Sequence, residues 1–199
     1  MKKKVAIIGS GIAGLVLANL LQTNSNFEFV VYEKEEILNL DEGFGVQLSV
    51  NSIFILNKIG FDQINKNEKF HPSKLEFYSI DYNKICELNL TTFNSKNEKY
   101  TTLKRSILIK FLKEKLLSNS IIFNKKIIKV EQINEKIDIH FNDGSSDKVD
   151  YLVVSDGVFS STKSVIEKFF LTPSIMKLLL LDHRLRPKIF LILIAATYL

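Results

Sequence analysis

An α/β fold built on a parallel sheet is what this 199-residue sequence predicts, and three observations predict it. Val5, Ala6, Ile7 and Ile8 form a short continuous apolar run, as expected of a strand buried on both faces. Residues 9–14 are rich in glycine and lead into residues 12–21, which are apolar almost all round, as in a covered helix. Residues 27–32 are a second β-rich run. Strand, turn, helix and strand within about thirty residues is the spacing of a parallel crossover unit.

The rest of the chain supplies further elements. A second glycine-containing loop covers residues 43–47, and residues 51–58 read as a helix stopped by Gly60. The runs 75–80 and 85–90, joined by Asp81, Tyr82, Asn83 and Lys84, read as a hairpin. Residues 103–117 carry Leu108, Leu112 and Leu116 on one side, with Lys104, Lys110, Lys113, Glu114 and Lys115 mostly on the other, so an amphipathic helix is expected there. Strands are expected at 126–132 and 136–141, the second alternating Ile137, Ile139 and Phe141 with polar residues. A turn follows at Asn142, Asp143, Gly144 and Ser145. Tyr151, Leu152, Val153 and Val154 are a last buried strand, ending at Ser155, Asp156 and Gly157.

Composition narrows the function classes. Hydrophobic residues make up 46% and charged residues 25%, so a chain of this length supports a real core. The net charge of +5 owes a surplus of three to the last 29 residues, where Lys177, Arg184, Arg186 and Lys188 face only Asp182. With no stripe rich in Arg and aromatics, nucleic-acid binding is not expected. The single cysteine, Cys86, allows no internal disulfide and fits a reducing, cytoplasmic setting. It lies in an apolar strand-like run, where a buried structural thiol is expected. Gly9, Ser10 and Gly11 interrupt the apolar run after Lys2, Lys3 and Lys4, which argues against a secretory signal. The apolar stretch at 189–196 is far shorter than the ~18–20 residues of a membrane span. His71, His140 and His183 are scattered with no partners at ligand spacing, so no metal is expected, and His140 reads as structural.

Gly9-Ser10-Gly11-Ile12-Ala13-Gly14 is a G-x-G-x-x-G. Gly9 permits a tight turn out of the strand, Gly11 lets the backbone approach a pyrophosphate, and Gly14 lets the helix pack closely on the sheet. A pyrophosphate there meets free N–H groups and the positive end of the helix dipole. Glu33, at the end of the second strand and 19 residues past Gly14, is placed to accept hydrogen bonds from the ribose 2′- and 3′-hydroxyls and to repel a 2′-phosphate. The alternative is that the glycines serve packing alone and Glu33 is a surface charge. Arg105 adds a separate argument. A cation in the first turn of a helix opposes the helix dipole, and a bound anion resolves that conflict. A solvated Arg105, and an Asp156-Gly157 that merely ends a strand, remain the alternatives.

Taken with the 43–51 segment, Arg105 within 103–108 and Asp156-Gly157 within 150–161, the chain from about Lys4 to Phe169 resembles the class A flavin-dependent aromatic hydroxylases, the family of p-hydroxybenzoate, salicylate and kynurenine hydroxylases. The resemblance implies a Rossmann-like FAD-binding fold of the glutathione-reductase type, a parallel sheet with an antiparallel crossover sheet and an incomplete substrate domain. It implies FAD held by Gly9, Ser10, Gly11, Ile12, Ala13, Gly14, Glu33 and Lys34, with Ile127 among the cofactor contacts. Gly45, Val46 and Gln47 match the segment near the flavin, Arg105 the contact to the pyrophosphate region, and Asp156 and Gly157 the segment serving both FAD and the pyridine nucleotide. NADH or NADPH would reduce the flavin, and the reduced flavin would use oxygen on a small, often aromatic substrate. On this reading residues 1–170 are the FAD-binding domain, with 72–92 a partial substrate-domain hairpin, and 171–199 an atypical tail. Two positions depart from the family: Lys163 stands where it usually has Arg, and Val50 where it often has Pro.

The family's later Gly-Asp motif is absent, the last glycine being Gly157, so a truncated chain with a tail out of frame is expected. Three functional readings follow: an FAD-dependent monooxygenase or its FAD-binding domain, a truncated and inactive nucleotide-binding fragment, and a plain NAD-dependent dehydrogenase. Arg105 and Asp156-Gly157 have no natural place in the third. Any apolar face left uncovered around the 151–154 strand would favour self-association.

Overall fold

The computed structural model describes residues 1–38, 40, 44–157, 160–170 and 189–191. In chain order the strands are β1 (Lys3–Ile8), β2 (Phe27–Tyr32), β3 (Gly45–Leu48), β4 (Lys74–Tyr78), β5 (Lys84–Asn89), β6 (Thr101–Lys104), β7 (Ile121–Ile122), β8 (Ile127–Ile133), β9 (Lys136–Phe141), β10 (Ser146–Val149), β11 (Tyr151–Val154) and β12 (Ile189–Leu191). The α-helices are α1 (Ile12–Gln22), α2 (Val50–Asn57), α3 (Arg105–Glu114) and α4 (Ser161–Phe170). Two compact units result, residues 1–38 with 112–199, and residues 39–111, the boundary falling within α3.

The first unit holds a five-stranded sheet in the order β12-β11-β1-β2-β7. All its pairings are parallel, with Ala6 opposite Leu152 on one side of β1 and Val30 on the other. The period of two along β1 explains the core. Ala6 and Ile8 point to one face, where they join Ile137, Ile139, Phe141, Val149 and Ile166. Val5 and Ile7 point to the other, with Ala18 of α1, Val31 and Val153. A strand buried on both faces has to be apolar at every position, which is why 5–8 shows no alternation. A three-stranded antiparallel sheet, β10-β9-β8, covers the first face. The fold class is therefore the expected one, a parallel α/β sheet with an antiparallel companion.

Asp150 ties the two sheets' ends together. It is 5% exposed, accepts the Lys4 N–H at 2.9 Å, and pairs with Lys136 at 2.9 Å and Lys3 at 3.4 Å. Burial alone would push its carboxyl up, but the Lys4 N–H and the Lys136 and Lys3 ammonium groups outweigh that and hold it at about 2.

In the second unit β3 pairs antiparallel with β6, and β4 with β5. Three expectations need correction. The 43–47 loop is strand from Gly45 onward, and Gly43 lies outside the described residues. The 103–117 helix starts only at Arg105, because Leu103 and Lys104 complete β6 against β3, and it ends at Glu114. Cys86 is exposed, not buried: the β4–β5 hairpin is open, with Phe77, Tyr78, Ile85 and Leu88 each more than 40% exposed. The strand at Tyr151–Val154 is covered, with Leu152, Val153 and Val154 buried. Of the 171–199 tail only 189–191 is described, as β12 beside β11. Among the described residues no helix is long and apolar enough to cross a membrane.

Candidate functional site

The carboxyl ends of β1, β2 and β11 converge on the glycine loop. Gly9 leaves β1 with φ +97°, and a Cβ there would stand 2.7 Å from the Asp156 Cα and the Ser155 carbonyl oxygen. Its N–H donates to the Tyr32 carbonyl at 2.8 Å, locking the turn to β2. Gly14 meets the loop from the other side, its hypothetical Cβ only 2.0 Å from the Gly9 carbonyl oxygen. Gly11, by contrast, has nothing within 4 Å of the place a Cβ would take. It is the N-cap of α1, no side chain caps that end, and the first turn holds no acidic residue. The N-terminus of α1 thus carries no side-chain cap, and the positive end of the helix dipole lies at the Gly11 turn.

Glu33 follows β2 directly. Its Oε2 accepts two hydrogen bonds from Ser10, from N–H at 2.8 Å and from Oγ at 2.6 Å. Its Oε1 accepts the Glu35 N–H at 3.1 Å. A free surface charge would not be held this way, so Glu33 is a built element of the loop. Lys34 beside it lies 3.8 Å from the Glu35 carboxylate.

At the end of β11, Ser155 Oγ donates to the Ile8 carbonyl at 2.8 Å, fastening the strand to β1. Asp156 Oδ2 accepts the Thr162 N–H at 3.3 Å. Its Oδ1 is shut from solvent with no hydrogen-bond partner among the described residues. An acceptor buried in that way costs about 1–3 kcal/mol, and a hydroxyl donor on a ligand would relieve it. Gly157 follows with φ +85°, and among the described residues nothing stands within 4 Å of the place a Cβ would take. Val158 and Phe159, next in the expected segment, lie outside the described residues.

Gly9, Glu33, Lys34, Ile127 and Asp156, expected separately from the sequence, line one hollow together with Ile8, Tyr32, Lys125, Lys126, Ser161 and Thr162. It is a shallow, open hollow of about 240 Å³ counting the solvent space at its mouth. Tyr32 remains a neutral donor there, because burial and its 2.7 Å bond to Asp147 push its hydroxyl well above the ordinary range.

Six of these lining residues were missed by sequence reasoning. A signal existed for Ser161 and Thr162: Ser160, Ser161 and Thr162 stand before an amphipathic run, the mark of a helix start, and α4 begins there. Lys125 and Lys126 directly precede a strand, and nothing in their order marks them as site residues.

The remaining expected residues belong to the second unit. Gly45, Val46 and Gln47 lie on β3, paired with Lys104, Leu103 and Thr102. Gln47 Oε1 accepts the Tyr100 hydroxyl at 3.0 Å. Arg105 opens α3, its N–H donating to the Phe44 carbonyl at 2.9 Å. Its Nη1 is buried without a hydrogen-bond partner, in a helix whose first turn has no acid. Among the described residues no group of three or more His, Cys, Asp or Glu is arranged to hold a metal.

Comparison with known proteins agrees with this geometry. Residues 7–39 match the family described as NAD(P)-binding Rossmann-like domain. The 6-hydroxynicotinate 3-monooxygenase of Bordetella bronchiseptica is 26% identical over 164 residues, 80% of this chain and 42% of that protein. The FAD-dependent monooxygenase penE of Penicillium thymicola is 28% identical over 183 residues, 90% of this chain and 38% of that protein. Among solved structures, a salicylate hydroxylase in complex with substrate aligns with a TM-score of 0.65 and 21% identity, over 82% of this chain and 38% of that one. The 2,6-dihydroxypyridine-3-hydroxylase of Arthrobacter nicotinovorans aligns at 0.65 and 16%, over 85% and 40%. Residues 7–39 are thus similar to a NAD(P)-binding Rossmann-like domain, and the relatives, of whose length the chain spans about 40%, are named monooxygenases, one of these FAD-dependent.

Proposed function

We propose that this chain binds FAD through the adenosine half and serves an NAD(P)H-dependent monooxygenase acting on a small aromatic substrate. The observation that carries the proposal is the loop geometry: close packing at Gly9 and Gly14, clear space at Gly11, and Glu33 fixed at the end of β2. The residues fit the group. The α1 N-terminus would receive the pyrophosphate, Glu33 a ribose hydroxyl, and Ile127 and the aliphatic part of Lys34 would flank the adenosine. Asp156 Oδ1, buried and unpartnered among the described residues, would gain a hydroxyl as its partner. In the second unit, taken by itself, the unpartnered Arg105 Nη1 is suited to an anionic oxygen.

The bound flavin would supply the redox chemistry, accepting hydride from NADH or NADPH and passing electrons to oxygen. The protein's own part would be binding, orientation and exclusion of water. The names of the relatives, among them a 6-hydroxynicotinate 3-monooxygenase and a 3-amino-4-hydroxybenzoate 2-monooxygenase, support an aromatic substrate.

Titration of the purified chain with FAD, followed by quenching of flavin fluorescence and by the visible flavin bands, tests the proposal. Saturable binding that ADP competes away is expected. A chain that leaves the flavin signal unchanged at every concentration would refute it, and NADH oxidation without flavin would favour a dehydrogenase.

A further inference from the structure

We propose that Ser10 is a positioning residue for Glu33, and that it limits this carboxylate to a single ribose hydroxyl of the bound nucleotide. The inference rests on the nucleotide reading of the site and deepens it.

The argument is one of counting. An ionised carboxylate offers about four lone-pair positions, two on each oxygen. On Glu33, Oε2 is filled twice by Ser10, through N–H at 2.8 Å and Oγ at 2.6 Å. Oε1 is filled once, by the Glu35 N–H at 3.1 Å. Among the described residues one position is left, on Oε1. A carboxylate with only backbone partners would keep a second position, on Oε2, and could take both ribose hydroxyls. The Ser10 hydroxyl is what closes it.

Ser10 is suited to that role. It is 2% exposed, so its hydroxyl has no solvent to exchange with. Its one proton is committed to Glu33, and its backbone is fixed between Gly9, locked to Tyr32, and Gly11, the N-cap of α1. Glu33 is anchored likewise, its N–H donating to the Ile122 carbonyl at 2.9 Å and its carbonyl accepting the Lys125 N–H at 2.8 Å. Neither side chain has to move to make the contact, and both oxygens keep fixed directions. The selectivity therefore lies in the pair and not in Glu33 alone.

Calorimetric titration with ADP, 2′-deoxy-ADP and 3′-deoxy-ADP reads the count directly. For the unaltered chain, one deoxy analogue should bind roughly tenfold or more weakly than ADP, and the other should bind like ADP. In Ser10→Ala the second Oε2 position opens, and both analogues should then be weaker than ADP. Ser10→Thr keeps the hydroxyl and should keep the single-hydroxyl pattern. The inference is overturned if the unaltered chain loses affinity with both analogues or with neither. It is also overturned if Ser10→Ala retains the original pattern. The arm with unaltered chain requires no variant to fold. ADP failing to bind at all would remove the nucleotide reading itself, a result separate from any analogue pattern.

Discussion

Replacing Gly14 by alanine sets two effects of opposite sign against each other, and the structure decides between them. Alanine is the better helix former by about 1 kcal/mol, and position 14 is inside α1. The new Cβ, however, would fall 2.0 Å from the Gly9 carbonyl oxygen, 2.9 Å from Ser155 Oγ and 3.2 Å from the Gly9 carbonyl carbon. The nearest atom is backbone, so no rotamer change relieves the clash. Gly9 is itself held in place, its N–H donating to the Tyr32 carbonyl at 2.8 Å. The helix must therefore lift by about 1 Å, loosening Leu15 and Ala18, both fully buried. Overpacking of a close-packed core costs about 1–3 kcal/mol, and a backbone collision belongs at the upper end or above. The expected net loss is about 2 kcal/mol, or roughly 4–8 °C in Tm for a chain of this size. Urea unfolding followed by far-UV circular dichroism measures it. Gly45→Ala is the control: its nearest neighbours would be at 3.9 and 4.0 Å, and it should leave stability within about 0.5 kcal/mol. A Gly14→Ala chain as stable as the original, or more so, would refute the packing argument.

Three further outcomes are expected. Gly11→Val, at a position with nothing within 4 Å, should cost only about 0.5–1.5 kcal/mol of stability through the lost N-cap but abolish FAD binding, as flavin fluorescence would report. Arg105→Met removes a guanidinium whose Nη1 has no partner, so unfolding free energy should hold or rise while FAD affinity falls by roughly tenfold to a hundredfold. Asp150 has its carboxyl held at about 2, below its ordinary value of 3.8, so its contribution is present above that ordinary value and lost as pH falls through the lower one. The difference of nearly two pH units is worth about 2 kcal/mol, and Asp150→Asn should be less stable by that amount at pH 7. The gap between variant and original should close as denaturant melts are repeated from pH 4 down to pH 2, and a gap independent of pH would contradict the assignment.

What the sequence disclosed was the part where local pattern and tertiary role coincide. Residues 5–8 are apolar at every position because β1 is buried on both faces, and Gly9 and Gly14 are glycine because backbone lies against them. Alternation at Ile137, Ile139 and Phe141 gave β9 its buried face, and all three are indeed within the core. The errors lie where pairing across the chain overrides local pattern. Leu103 and Lys104 continue the periodicity of a helix, yet β3 recruits them into a sheet. Cys86 sits in an apolar run, and burial was inferred from that alone, whereas a two-stranded hairpin gives its faces no cover. The site divides in the same way. Glu33 was readable from spacing, but its bonds to Ser10 were not, since no local pattern records which donor a carboxylate meets. Tyr32, Lys125 and Thr162 reach the hollow only through the order of strands in space.

That strand order has a consequence for how the protein is made. β1 rests between β2, its neighbour in sequence, and β11, from the far end of the unit. The bond from Ser155 to Ile8 that seats the glycine loop spans 147 residues. A ribosome adding about 5–20 residues per second needs roughly 7–30 s to supply the second strand after the first. Through that interval β1 has one flank unpaired, and Gly9 has no Asp156 to turn against. Long-range parallel pairing of this kind is intrinsically slow. The loop is thus written first and completed last, and nascent chains should gain nucleotide affinity only after β11 has left the exit tunnel.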